Sequence, residues 1–199
     1  FRKLELGLTE NPVTLGGFED TRRETGIEVA SLVTGCLNPR SEHMSGTKLG
    51  SLDSELRNRA LLSSRRHIQV ALQYGCPTVI LRGCAVEDKA MLAEAATLEQ
   101  RHAERDEDSA EQVAEDMADF VSRVQKKGQQ QVEHLCRSIH TLRNEFPDIR
   151  LAVEPGTTFA DILNFEAMGW VLDDLSKQEL SYWHDTGTVH LREVAGLPG

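Results

Sequence analysis

Two acids and an arginine close three apolar segments of this sequence. Arg82 ends PTVILRG (77–83), Glu154 lies in RLAVEPG (150–156) and Asp185 in LSYWHDTG (180–187). A carboxylate so placed can exchange a proton when its surroundings tune it, or can hold a divalent cation. An inward arginine can balance buried negative charge or grip an anionic oxygen. Plainer roles compete with these. A lone carboxylate at a strand end caps a helix or joins an ion pair more often than it binds a ligand. Two carboxylates also fall short of a metal shell, which needs further oxygen or imidazole donors. His184 and His190 are the nearby imidazoles. His184 opposes Asp185 in strand parity, so the pair would not share a metal; a packed ring bonded to a carbonyl is the plainer state. His190 lies past the strand, where it could meet a substrate or simply occupy a loop.

The elements that must position these groups alternate along the chain. Five short apolar runs, KLELGL (3–8), EVASLVTG (28–35), PTVILRG, RLAVEPG and LSYWHDTG, read as strands that end in Gly or a turn-forming pair. Between them lie helical patterns. Ser54–Tyr74 carries an apolar stripe, with Asp53 or Ser54 as N-cap and Gly75 just past its end. The stretch 87–146 is helical with a charged break at RDEDS (105–109), where Ser109 and Gln112 have capping-box spacing. Pro147 stops it, and a shorter helix spans about 164–176.

Strand–helix alternation of this kind implies parallel strands with right-handed crossovers, in a doubly wound sheet or a (β/α) barrel. No GxGxxG follows a strand and no GxxxxGK[ST] occurs, which removes the main support for dinucleotide and P-loop sites. Parity puts Leu151 and Val153 on one face and Ala152 and Glu154 on the other. Small and acidic residues facing inward suit a barrel wall that ends in a site, and Arg82, Glu154 and Asp185 could face one cavity.

A chain of 199 residues fits one domain, 1–199. Its net charge of −10 repels phosphate backbones, so no nucleic-acid partner is expected. Cys36, Cys76, Cys84 and Cys136 form no CxxC pair and read as free thiols of a reducing compartment. With no membrane-span pattern and no signal peptide visible, the expectation is a cytoplasmic protein. Phe1 in place of Met, and an end soon after a motif-bearing strand, read as a domain incomplete at both ends.

Four stretches in order carry a family resemblance: RALLSSRRHIQVALQYGCPTVILRG, RLAVEPG, FADILNFEAMGWVLDDL and SYWHDTGTVHLREVAGL. Together they resemble the xylose isomerase-like barrel superfamily, in particular the sugar phosphate isomerase/epimerase proteins. The resemblance implies a partial TIM-type barrel, with about five to six of eight strands present. It implies that Glu154 binds a divalent metal (Mn, Mg or Zn) and moves a proton next to a carbonyl of a small sugar-like substrate. Asp185 would be a second metal ligand, and Arg82, His184 and His190 would meet the substrate. Departures accompany the match. Many relatives have histidine at the position of Arg82, and Thr188 stands where the family has a histidine, with His190 on the same parity as a partial substitute. The later histidine and glutamate of epimerase relatives would lie beyond Gly199. A non-catalytic barrel that binds a ligand or partner is therefore the alternative. An abasic-site endonuclease shares the fold but wants zinc-binding histidines and a basic groove. An open partial barrel would also expose strand edges for a homo-oligomer or partner to cover.

Overall fold

The computed structural model describes residues 1–9, 11, 13, 15–38, 47–194 and 196. Five strands form one sheet: β1 (Lys3–Leu6), β2 (Glu28–Val33), β3 (Thr78–Arg82), β4 (Arg150–Glu154) and β5 (Ser181–Tyr182). All neighbours are parallel and the spatial order equals the chain order. A doubly wound sheet reverses its strand order at a switch point. There is no reversal here, so right-handed crossovers put the helices that join successive strands on one face. The result is a singly wound α/β sheet with β1 and β5 as its edges.

Side-chain alternation divides the two faces. Leu4 and Leu6, Leu32, Val79 and Leu81, and Leu151 and Val153 join the helices in one apolar core. The other face carries Glu5, Ser31, Val33, Ile80, Arg82, Ala152 and Glu154, as their register partners show. All five strands therefore stand where the apolar runs placed them. β1, β2 and β4 end two residues sooner, and β5 is far shorter than the run 180–187.

Six helices complete the described fold: α1 (Phe18–Thr25), α2 (Ser54–Gln73), α3 (Lys89–Glu104), α4 (Ala110–Glu145), α5 (Phe165–Asp174) and α6 (Thr186–Val194). Asp53 caps α2, its Oδ1 accepting from the Glu55 and Leu56 amides at 2.7 and 3.3 Å. The helix closes in a Schellman turn: the Gly75 amide donates to Leu72, the Cys76 amide to Ala71, and Gly75 takes φ +65°. Asp53→Ala should cost about 1 kcal/mol of unfolding free energy, measurable as a lower urea midpoint.

The capping box expected at Ser109 does not form. Its side chain makes no cap bond and instead engages Asp106, Oγ to Oδ1 at 2.5 Å. Asp106 is the nearer acceptor and fixes the α3–α4 turn by itself. α1 had no signal in the sequence: none of its residues is buried, so it lacks an apolar stripe.

The 36-residue α4 is ~54 Å long, against ~17 Å for a five-residue strand. Its C-terminal half covers the sheet and its N-terminal half pairs with α3, where Arg101–Asp116 and Arg123–Glu94 link the two helices. Two buried polar residues of α4 bind loops. Gln131 accepts from the Glu87 amide and donates to the Ala85 carbonyl, and Ser138 donates to Leu49. Glu87 in turn accepts from the Ser51 hydroxyl and the Leu52 amide. The loops after β2 and β3 are thus braced to α4, which fixes one side of the strand-end region. The four cysteines are free thiols. No helix of the described residues is long and apolar enough to cross a membrane. Of the AGL that ends the last quoted stretch, only Gly196 lies among the described residues.

Candidate functional site

Arg82 and Glu154 are register partners, each the last residue of its strand. They project from the same face of neighbouring strands at the C-terminal edge of the sheet, where α/β proteins bind ligands. Asp185 reaches the same place by a different route from a strand. After Tyr182 the chain leaves the sheet, and Asp185 precedes α6 as its cap. Its Oδ1 accepts from the Thr188 amide at 2.7 Å, and its carbonyl accepts from the Val189 amide. A turn of Asp, Thr and Gly satisfies the first helical amides more readily than it extends a two-residue edge strand.

That helix start corrects the alternation read for 180–187, because residues of one face there repeat at three or four positions. Thr188 and Arg192, four apart on α6, are buried against the sheet end. Thr188 donates its hydroxyl to Glu154 Oε1 at 2.6 Å. It therefore joins the two acids, with its N–H on Asp185 and its O–H on Glu154. His190, two residues on, faces the opposite side and is exposed. His184 is also exposed and rests near the Tyr182 ring at 5.9 Å between centroids. Neither histidine is brought to the carboxylates, so the site forms from Arg82, Glu154 and Asp185 without them.

Three residues that the sequence did not single out complete the surroundings. Asp161 accepts from the Thr158 amide and hydroxyl at 2.8 and 3.0 Å, closing the turn between β4 and α5. This loop folds onto the one after β3: the Ile162 amide donates to Cys84, and the Val86 amide to Ala160. Arg192 donates to the Gly156 carbonyl. Glu5, on the inner face of β1, accepts from Ser31 at 2.6 Å. A helical reading of TGTVHLREV would have put Thr188 and Arg192 together; Asp161 and Glu5 carry no such signal. Gly156 has no room for a side chain, since a Cβ there would lie 2.1 Å from Asp161 Cβ. Gly156→Ala should therefore displace the Asp161 turn and cost ~1–3 kcal/mol, read from the urea midpoint.

Electrostatics set the state of each group. Burial raises the Glu154 pKa above its ordinary value, and Asp185 and Glu5 push the same way. The Thr188 hydrogen bond and the Arg82 charge oppose that rise. Burial also lowers the Arg82 pKa, against the attraction of Glu154 and Asp161. Arg82 Nη1 is buried and, among the described residues, meets no hydrogen-bond acceptor. Among the described residues no carboxylate comes within ion-pairing distance of Arg82, so it is not the simple counter-ion that its position suggests.

The donor set fits a metal only in part. Glu154 and Asp185 each have one oxygen already bonded, and among the described residues no third His, Cys, Asp or Glu groups with them. Two remaining oxygens do not hold a hard divalent ion. Cavities of about 1200 Å³ between α4 and α5, and about 640 Å³ beside Lys3, Arg150 and Trp183, include none of these strand-end residues. No protein-family model matches the chain, and no curated protein matches it significantly.

Proposed function

We propose that this chain is part of a xylose isomerase-like barrel and moves a proton next to a carbonyl of a small sugar-like substrate. The observation that carries this reading is the pairing of Glu154 and Arg82 at the ends of β4 and β3: a desolvated carboxyl beside a guanidinium nitrogen without an acceptor. Glu154 would take the proton on Oε2, because Thr188 occupies Oε1. Arg82 would donate to the substrate oxygen that gains negative charge as the proton leaves. Sequential strand order and a polar inner face support a barrel wall, and the quoted stretches support the family. The family's divalent metal would take Glu154 and Asp185 and need ligands from outside the described residues; no step above runs through it.

The test is hydrogen exchange in D₂O, followed by NMR, with a panel of aldoses, ketoses and sugar acids, with and without Mn, Mg or Zn. Deuterium entering the carbon next to the carbonyl is the expected result. Absence of exchange across the panel would defeat catalysis by this chain.

The second reading is a non-catalytic barrel that binds its ligand. It is favoured by the bonds that occupy one oxygen of each acid, Thr188 O–H on Glu154 and Thr188 N–H on Asp185. Under it, sugar-like molecules would bind with no exchange. Under either reading the partner is a small molecule of a cytoplasmic protein, and the β1 and β5 edges of the sheet are where a homo-oligomer would form.

A further inference from the structure

The unused donor of Arg82 says something about the substrate. A guanidinium carries five N–H donors in a rigid plane and stays charged in proteins. Leaving a buried donor of a charged group without an acceptor is among the costlier defects in a fold. Glu154 is the cross-strand neighbour of Arg82, and Glu154 and Asp161 both lie close enough to act on its charge. Glu154 is instead held by Thr188, and Asp161 by Thr158. One oxygen of each acid is thus engaged elsewhere, and among the described residues the buried Nη1 of Arg82 meets neither of them.

We infer that Arg82 holds a carboxylate of the ligand, so that the substrate is a sugar acid and not a neutral sugar. A planar carboxylate matches a planar guanidinium and can take two of its donors. A phosphate dianion fits less well. Glu154, Asp185, Asp161 and Glu5 all lie nearby, and the second arginine, Arg192, already donates to Gly156. One arginine offsets one charge. The inference rests on the proposed site but not on Glu154 being the base, and the two can fail separately.

The test is calorimetric titration of the whole chain with gluconate, with glucitol as the uncharged analogue and with glucose 6-phosphate. The wild-type protein should bind gluconate about 10- to 100-fold more tightly than glucitol, the range of a charged hydrogen bond. Arg82→Gln should erase that preference, bringing gluconate affinity down to that of glucitol, and Arg82→Lys should restore part of it. Glu154→Gln should keep the preference even where it abolishes exchange, which separates this inference from the proton-transfer reading. Equal binding of gluconate and glucitol, or no binding of gluconate, would overturn it. So would a gluconate preference that survives Arg82→Gln, or tighter Arg82-dependent binding of the phosphate ester.

Discussion

Glu154→Gln should slow hydrogen exchange at the substrate carbon by about 10²- to 10⁴-fold, the usual share of a positioned general base. Glutamine keeps the shape and can still accept the Thr188 hydroxyl through its carbonyl oxygen, so the fold should survive. What it lacks is a basic oxygen in the place of Oε2. Circular dichroism and the urea midpoint should therefore match wild type within experimental scatter, and ligand binding should persist. The control is Thr188→Val, which removes the hydroxyl but not the amide that bonds Asp185. That variant frees Glu154 Oε1 and should change the rate much less than Glu154→Gln. A glutamine variant that exchanges as fast as wild type would assign the base elsewhere.

Acid should destabilise the fold by about 3 kcal/mol through His67 alone, the second-largest effect. This ring is fully buried in α2. Its Nε2 accepts from the Gly35 and Leu37 amides at 2.9 and 3.3 Å, which requires the neutral form with the proton on Nδ1, facing the Ser63 carbonyl. Burial pulls its pKa from 6.5 down to about 4, and the nearby Arg66 adds to the fall. The unfolded chain then binds a proton near pH 6.5 that the folded chain refuses until about pH 4. Stability is complete above the unfolded value and is lost progressively as pH falls across that window. At ~1.4 kcal/mol per unit the shift converts to the figure above.

Glu154 acts in the opposite direction, because a raised carboxyl pKa favours the fold in acid, so the measurement must be a difference. His67→Gln should be less stable than wild type at pH 7, and its stability should fall by about 3 kcal/mol less on going to pH 4. Parallel pH profiles for the two proteins would show that His67 does not carry the acid sensitivity. Functionally, the same ring orders the turn that leaves β2, one of the loops at the C-terminal edge of the sheet.

The contrast between Asp53 and Ser109 shows where local patterns sufficed. Asp53 precedes a helix with a full apolar stripe, and the cap, the stripe and Gly75 all favour one register. Ser109 had the right spacing, but a neighbouring aspartate competed for its hydroxyl, and spacing carries no information about competition. The five strands were legible for a related reason. Each is a short β-branched or leucine-rich run between turn residues, too short for a helix and bounded where a strand would end. α1 was illegible because it buries nothing.

Sequence by itself determined the alternation of strands and helices, the parity of β3 and β4, and so the common direction of Arg82 and Glu154. These follow from periods of 2 and 3.6, which any short stretch displays. Only the tertiary structure decided the rest. It ended β5 at Tyr182 and turned HDTG into a helix start, because the amides of α6 needed an acceptor and Asp185 supplied it. It then brought Thr188 to Glu154, 34 positions away in the chain, and held Asp161 in its own turn. Among the described residues the buried Nη1 of Arg82 meets no partner, and no local pattern encodes that, since it depends on how distant groups are placed around it.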